Sequence, residues 1–285
     1  VTLLNVAYSN NGSTSNNVSG NTISNVSSAG TITGVTSANG AQNFFGNTIF
    51  GLSSSGASAV TGVNIGNGTT ANIYQNKIYN LLGTNAGSTV NGILISAGLN
   101  INTYNNIIGD LRATAASGND VIRGINITSS TASSTLKVYN NTIRLNSISS
   151  GANFGSTGMF HTYSATATTA ALDMRNNIIV NASSASGTGL AVAFRRSAAT
   201  DLLNYATTSN NNLFFGTSGV YTDGTNLDAG LSTFQTRVST RETNSKSQNP
   251  TFASTTGSDA TFLHFESGAL NLAGSFGQVI SGYTT

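Results

Sequence analysis

The sequence contains few charged residues and almost none of the residues that cross-link or interrupt a chain. Charged residues make up 7% of its 285 residues, there is one proline, and cysteine and tryptophan are absent. The lack of cysteine excludes disulfide bonds and thiolate metal sites. Disorder usually accompanies a high net charge or many prolines, and the formal net charge here is only +2. We therefore expect a folded chain without covalent cross-links.

The same scarcity of charge restricts the partners. The 11 basic and 9 acidic residues are scattered, and the lack of a basic run argues against nucleic acid as a partner. No apolar stretch reaches the length that spans a membrane, and no signal peptide is visible. The chain begins with Val1 rather than methionine, so we expect a processed product or a part of a longer protein.

Asparagine and glycine are abundant instead, with 38 and 32 residues, and both recur at a regular interval. The stretches "YQNKI", "YNNII", "YNNTI" and "RNNII" each place an asparagine two residues before an isoleucine. The asparagines at this position are Asn21, Asn47, Asn76, Asn106, Asn141 and Asn177, with Asn212 before "LF". Between them lie glycines followed by alternating apolar residues, namely Gly34, Gly62, Gly92, Gly124, Gly158, Gly189 and Gly219. Successive glycines are 28 to 34 residues apart, a period typical of solenoids and propellers.

Each repeat contains three short apolar alternations at the period of a β-strand. One repeat shows Ile125/Ile127, then Leu136/Val138, then Ile143. A propeller blade would need four strands and a signature such as Trp-Asp, which is absent. We therefore predict an all-β parallel β-helix solenoid of about eight coils with three short strands each. Repeats would occupy residues 1–250, and residues 251–285 would form a C-terminal capping segment of the same domain.

The residue before each repeated asparagine is one that tolerates a positive φ, with one exception. These residues are Gly20, Gly46, Gln75, Asn105, Asn140, Asn176 and Asn211, of which only Gln75 is unexpected. We predict a left-handed corner there, between the second and third strands. The following asparagines would then stack about 4.8 Å apart and hydrogen-bond along the stack as a structural ladder. Its members would be Asn47, Asn76, Asn106, Asn141 and Asn177.

The register makes two further predictions. A row of isoleucines should stack along the core, consisting of Ile23, Ile49, Ile78, Ile108, Ile143 and Ile179. Lys137 and Asp173 should be outward neighbours on consecutive second strands, because "LKV" and "LDM" occupy the same phase. As an exposed pair they would contribute at most about 1 kcal/mol.

The coils over roughly residues 1–220 resemble the right-handed parallel β-helix, or pectin-lyase-like, repeat proteins. The closing stretch 231–275 is similar to that of many bacterial secreted β-helix proteins, through its Asn-Pro-x-Phe element at residues 249–252 and "FLH" at 262–264. Within that group it resembles most the Ser/Thr/Asn-rich surface proteins of Bacteroidota. The resemblance implies a right-handed β-helix at a bacterial cell surface or outside the cell. It leaves the activity open, because this fold carries lyases, hydrolases and adhesins.

Two classes of function remain after these observations. A glycosidase needs two carboxylates at a defined separation, and the carboxylates here never share one phase of the repeat. A lyase needs a base and a group that neutralises the uronate, for which Asp120, Arg123 and Arg195 are the candidates, unless they are simply solvated. Sparse, unphased charges favour a stalk, adhesin or filament subunit, and the alternative is a polysaccharide lyase or glycoside hydrolase.

Aromatic residues supply the candidates for glycan binding. Tyr74, Tyr104 and Tyr139 precede the corner in successive coils, with Arg175 next at the same phase. Facing outward, they would form a ladder ended by a cation–π contact and suited to sugars. The alternative is that they pack under a loop and only join adjacent coils.

Two predictions concern cofactors and partners. Asp223, Asn226 and Asp228 put oxygen ligands on one tight turn, which could hold calcium or be an ordinary solvated turn. No other cofactor is indicated, and we expect His161 and His264 to be structural. An open end of a solenoid is a bare sheet edge, so we expect the N-terminal end to contact another domain or subunit.

Overall fold

The computed structural model describes residues 1–6, 16–199, 201–269, 271–272 and 277–283. The strands of the N-terminal half are β1 (Thr2–Val6), β2 (Asn16–Ser19), β3 (Thr22–Ser28), β4 (Ile32–Ser37), β5 (Ala41–Phe45), β6 (Thr48–Ser54), β7 (Ala59–Ile65), β8 (Thr70–Tyr74), β9 (Lys77–Gly83), β10 (Thr89–Ile95), β11 (Asn100–Tyr104), β12 (Ile107–Gly109) and β13 (Leu111–Ala113). The remaining elements are β14 (Gly118–Ile127), β15 (Thr135–Tyr139), β16 (Thr142–Leu145), β17 (Phe154–His161), β18 (Ala171–Arg175), β19 (Ile178–Asn181), β20 (Ala191–Arg196), β21 (Leu213–Gly216), β22 (Gly219–Thr222), β23 (Leu227–Asp228), α1 (Leu231–Arg237) and β24 (Lys246–Ser247).

Three sheets run side by side: in the described residues the first and third take strands from all eight coils, and the second takes one from each of the first six. The first sheet has the order β1-β4-β7-β10-β14-β17-β20-β22-β23, and the second β18-β15-β11-β8-β5-β2. The third sheet has the order β24-β21-β19-β16-β12-β9-β6-β3, with β13 beside β9. All pairs are parallel except the β22–β23 hairpin. The chain is therefore a parallel β-helix of eight coils, as the repeat predicted.

The predicted isoleucine row is present in the third sheet. Register pairs join Ile23, Ile49, Ile78, Ile108, Ile143 and Ile179 in succession, followed by Phe214. All are fully buried except Ile23, which is partly buried in the first coil. Burying each such side chain stabilises the fold by about 2–3 kcal/mol. This row and the inward residues of the other sheets form the core.

The repeated glycines of the first sheet lie where that sheet comes closest to the isoleucine row. A Cβ atom at Gly92 would lie 2.5 Å from the carbonyl oxygen of Gly124 and 2.6 Å from Cγ2 of Ile108. Gly62 and Gly124 have the same surroundings one coil away on either side. Glycine occupies this position from Gly34 to Gly158 because a side chain there meets backbone of the next coil, whereas Ala193 occupies it in the seventh coil. Gly189 and Gly219, which the repeat had aligned with these glycines, lie at other positions.

The corner before the third strand is left-handed in every coil where the sequence predicted it. Its φ angles lie between 54° and 66° at Gly20, Gly46, Gln75, Asn105, Asn140, Asn176 and Asn211. Gln75 adopts the same conformation, with φ of 55°, although its residue type does not favour it. The path of the solenoid therefore overrides the local preference of that residue.

The asparagine after each corner is buried and takes part in a continuous ladder. Nδ2 of Asn76 donates to Oδ1 of Asn106 at 2.9 Å and to the carbonyl oxygen of Phe44 at 2.8 Å. Oδ1 of Asn76 accepts from Nδ2 and from the backbone N–H of Asn47, at 2.9 and 3.1 Å. The same bonds recur at Asn47, Asn106, Asn141 and Asn177. The ladder thus satisfies polar groups that the corner buries.

The C-terminal end of the core is closed by helix α1. Phe234 of this helix is fully buried and packs against the rings of Phe194, Phe214 and Tyr221, with centroids 4.8 to 6.1 Å apart. No helix in the described parts of the chain has the length and apolar character to cross a membrane.

The segment that we predicted as a cap contacts the flanks of the solenoid in its described parts. Phe262 and Leu263 pack with Tyr79 on the outer face of the third sheet. Lys77 Nζ donates to the carbonyl oxygen of Asp259 at 2.8 Å. Residues 277–283 contact the second sheet through Asn140 and Asn176. The described parts of this segment thus cover outer faces of the solenoid, while α1 covers the end of the core.

Candidate functional site

The lyase candidates Asp120, Arg123 and Arg195 lie together on the outer face of the first sheet. Asp120 Oδ2 is 2.9 Å from Arg123 Nε and 3.3 Å from Arg195 Nε. Thr157 donates its hydroxyl to Asp120 Oδ1 at 2.6 Å. These residues come from β14, β17 and β20, so the cluster joins three consecutive coils.

A pocket of about 190 Å³ adjoins this cluster. Its lining residues are Thr89, Asn91, Asp120, Val121, Arg123 and Asn126. The Arg123 guanidinium stacks on Phe160 at 3.8 Å from the ring centroid, and its Nη1 donates to Asn126 Oδ1 at 2.9 Å. Both oxygens of Asp120 are already held by donors, and it is the one carboxylate among the described lining residues. The described lining of this pocket therefore does not contain the carboxylate pair that a glycosidase needs.

The aromatic residues form a stack on the outer face of the second sheet. The ring centroid of Tyr74 lies 4.8 Å from that of Phe45 on one side and 4.8 Å from that of Tyr104 on the other. The ring planes are within 5° of parallel. Burial raises the pKa of Tyr104 to about 12, aided by the neighbouring Tyr74 and Tyr283 hydroxyls. Because the ring faces contact one another, the stack presents ring edges and the tyrosine hydroxyls to solvent.

Tyr139 and Arg175 follow the stack but belong to a different arrangement. Tyr139 is buried and donates its hydroxyl to Asp173 Oδ2 at 2.7 Å. Arg175 lies 5.6 Å from the Tyr139 ring centroid and forms an ion pair with Asp173 at 2.6 Å. Burial and the hydrogen bond to Asp173 raise the pKa of Tyr139, and the same carboxylate raises the pKa of Arg175. The continuous stack therefore ends at Tyr104.

Lys137 and Asp173 are register partners on β15 and β18, as predicted. Asp173 is nevertheless held by Arg175 and Tyr139, and Lys137 Nζ lies 5.8 Å from the ring centroid of Tyr283. The predicted register of Lys137 and Asp173 is thus confirmed, but each charge interacts with a residue other than its register partner.

A second column of amides runs beside the aromatic stack, and sequence reasoning missed it. Asn43 donates Nδ2 to Oδ1 of Asn17 at 2.8 Å, Asn72 to Asn43 at 2.7 Å, and Asn102 to Asn72 at 2.7 Å. The signal was an asparagine two residues before the ring in "NFF", "NIY" and "NTY". Residues two apart in a strand share a face, so both columns point outward.

The calcium candidates lie in the β22–β23 hairpin, where their carboxylates already have partners. Asp223 Oδ1 accepts from the backbone N–H of Thr225 and Asn226 at 3.1 and 2.7 Å. Asp228 forms an ion pair with Arg237 at 2.6 Å. Among the described residues, no group of three or more His, Asp or Glu could hold a metal ion.

A buried polar cluster lies inside the last coils. His161 continues the inward column of Ile95 and Ile127, is fully buried, and lies with Nε2 2.9 Å from the Ala170 carbonyl oxygen. Burial, with Arg196 beside it, lowers the pKa of His161 to about 3. Arg196 is also buried and donates to the carbonyl oxygen of Asp201 and to Asn204 Oδ1, both at 2.6 Å. His161 thus acts as a neutral core residue, whereas His264 is exposed.

Comparison with known proteins gives no relative from which a function could be transferred. No protein family, curated protein or solved structure matches the chain. The functional assignment therefore depends on the surfaces described above.

Proposed function

We propose that this chain is a structural or adhesive β-helix of a bacterial cell surface or of the extracellular space, which binds glycan chains and does not cleave them. The observation that carries this proposal is the pair of columns on the second sheet. The amides of Asn17, Asn43 and Asn72 form one column, and the rings of Phe45 and Tyr74 lie in a second column beside it. Within each column, successive members belong to neighbouring strands. The resemblance to Ser/Thr/Asn-rich surface proteins with a pectin-lyase-like β-helix supports the location.

The repetition of this surface suits a polymer. A chain lying along the solenoid axis would meet one amide and one ring edge about every 4.8 Å. Sugar hydroxyls pair with amide and tyrosine hydroxyl groups, and the apolar edges of the sugar contact the ring edges. Because the ring faces are stacked on each other, recognition would depend on these edges and amides.

A scaffolding role agrees with the N-terminal coil. Among the described residues, β1, β2 and β3 are the first strands of the three sheets, and each pairs with one neighbouring strand. An unpaired sheet edge is a template for another chain. We include in the proposal an end-to-end contact of this coil with another domain or subunit.

The test of glycan binding compares the chain with two variants on immobilised neutral and acidic polysaccharides. Asn72→Ala removes the amide in the middle of the column, and Tyr74→Ala removes a ring and its hydroxyl. Each should weaken binding by about tenfold, corresponding to about 1.4 kcal/mol. The matched control is Ser53→Ala on the third sheet, which should bind as the unchanged chain does. If no polysaccharide is retained, or if all three variants are retained equally, the proposal fails.

A polysaccharide lyase is the second candidate, and the cluster of Asp120 with two arginines favours it. Incubation with uronate polysaccharides, with and without calcium, would reveal the unsaturated ends that a lyase releases. Our proposal expects none. Release that is abolished by Asp120→Asn or Arg123→Ala would replace the binding function with catalysis.

A further inference from the structure

Residues 277–283 of this chain lie on the second sheet as a bound peptide would. Asn176 makes two hydrogen bonds to the backbone of Gln278, donating Nδ2 to its carbonyl oxygen at 2.7 Å and accepting its N–H at 3.0 Å. Asn140 donates Nδ2 to the carbonyl oxygen of Tyr283 at 3.2 Å. These three hydrogen bonds are made to backbone atoms of the segment and do not depend on its side chains.

The ring of Tyr283 provides the anchor. It contacts Tyr104 and Tyr139 edge-on, with both centroids 4.9 Å away and planes at 90° and 85°. Its hydroxyl donates to Asn102 Oδ1 at 3.0 Å, which is the last amide of the outer column. Lys137 Nζ lies 5.8 Å from the ring centroid.

The solenoid fixes the residues that hold the segment. Asn140 and Asn176 occupy left-handed corners, with φ of 55° and 56°. The residue after each corner, Asn141 or Asn177, is locked in the interior ladder. Asn102 is aligned by its own bond to Asn72. The site therefore exists independently of the segment that fills it, as a recognition surface does.

We propose that this face is a peptide-docking site, and that in an assembly of two copies it takes residues 277–283 of the second copy in place of its own. Exchange of an identical segment preserves every contact and is therefore a low-cost route to association. The N–H of Leu272 donates to Gln248 Oε1 at 2.7 Å, so the exchanged segment would separate after Leu272, and the chain from Leu272 to Gly277 can span at most about 17 Å. The site shares Asn102 and Tyr104 with the end of the two outer columns. The substitutions that test it leave Asn72 and Tyr74 unchanged, so either proposal can fail alone.

A complementation experiment tests the exchange. The first variant, Tyr283→Ala, keeps the site and loses the anchor of its own segment. The second, Asn140→Gly with Asn176→Gly, keeps the segment and loses the amides of the site. Glycine preserves the corner, as Gly20 and Gly46 do in the first coils. Each variant alone should sediment as a monomer, and the mixture should contain a 1:1 dimer.

The matched control replaces the double variant with Asn105→Gly. This residue occupies the same corner one coil earlier, with φ of 54°, so the chemical change is the same while both segment-binding amides remain. Its own segment stays docked, so mixing it with Tyr283→Ala should give no dimer. The exchange is refuted if both mixtures behave alike or if the first remains monomeric up to the solubility limit.

A binding measurement on the same variants tests the docking site separately from the exchange. A labelled peptide with the sequence of residues 277–283 should bind the Tyr283→Ala chain in a saturable way. Adding the two glycine substitutions to that chain, or replacing the tyrosine of the peptide by alanine, should weaken binding at least about tenfold. Equal binding in all three cases, or none, would overturn the proposal. Circular dichroism of each variant verifies that the solenoid is folded.

Discussion

Asn212 and Glu242 are joined at the end of the interior asparagine ladder. Nδ2 of Asn212 lies 3.1 Å from Oε1 and 2.9 Å from Oε2 of the fully buried Glu242 carboxylate. Every asparagine of the ladder donates to the next coil, so the last donor needs an acceptor that the repeat does not supply. Glu242 provides it, and also accepts from the hydroxyls of Tyr205 and Ser245.

Glu242→Ala should therefore destabilise the fold strongly. It would leave the buried donors of Asn212, Tyr205 and Ser245 without their acceptor, at a cost of about 3–5 kcal/mol. Urea unfolding followed by circular dichroism measures the change. Glu266→Ala, at an exposed glutamate, is the control and should change stability by less than about 0.5 kcal/mol. Equal effects of the two substitutions would contradict the role of Glu242.

The stability should depend on pH through His161. Its pKa is about 3 in the fold and 6.5 in a free side chain, so only the unfolded chain takes up this proton between those values. Stability is therefore fully present above pH 6.5 and is lost as the pH falls toward 3, by up to about 1.4 kcal/mol per pH unit. Urea midpoints measured across this range should show the loss.

The variant His161→Gln isolates this contribution. Glutamine keeps a donor for the Ala170 carbonyl oxygen but does not titrate, so the pH-dependent loss should shrink by this amount. Burial raises the pKa of Glu242, which acts in the opposite direction: stability rises as the pH falls from its folded pKa to its unfolded pKa. His264→Gln, at an exposed histidine, is the matched control and should change stability by less than about 0.5 kcal/mol. A profile that His161→Gln does not alter would refute the assignment.

Gly92→Ala should destabilise the solenoid by about 1–3 kcal/mol. The added methyl group would lie 2.5 Å from the carbonyl oxygen of Gly124 and 2.6 Å from Cγ2 of the buried Ile108, so neither neighbour can move away without disturbing the next coil or the core. Gly30→Ala is the control, because its Cβ would meet one atom at 3.8 Å, an ordinary contact. Thermal unfolding of both variants decides, and a smaller effect at Gly92 than at Gly30 would count against close approach.

Gln75→Gly should stabilise the chain by about 0.5–1 kcal/mol. Gln75 has a φ of 55°, a conformation that costs about 1–2 kcal/mol for most residues, while glycine loses part of that gain through its flexible unfolded state. The reverse change, Gly46→Ala at the same corner, should destabilise by a similar amount. Unfolding midpoints that move in the same direction for both variants would be inconsistent with this explanation.

The sequence by itself determined the features below, which recur from coil to coil. The isoleucine row, the left-handed corners and the ladder each occur in several coils, so a local pattern appears many times at one period. Even Gln75 could be placed, because its neighbours in the pattern defined the corner. The outer amide column also repeats, as an asparagine two residues before a ring, but we recognised it only from its hydrogen bonds in the structure.

Only the tertiary structure decided the contacts that occur once. Asp120 and Arg195 are far apart in sequence, and they meet because β14, β17 and β20 stack in one sheet. Tyr283 reaches Tyr104 by the path of the C-terminal segment, which has no period to reveal it. A solenoid position constrains residues one coil away through the fixed strand spacing, whereas a loop or terminal segment is placed by the surface it happens to complement. Such complementarity depends on the whole folded surface, and no local pattern of residues encodes it.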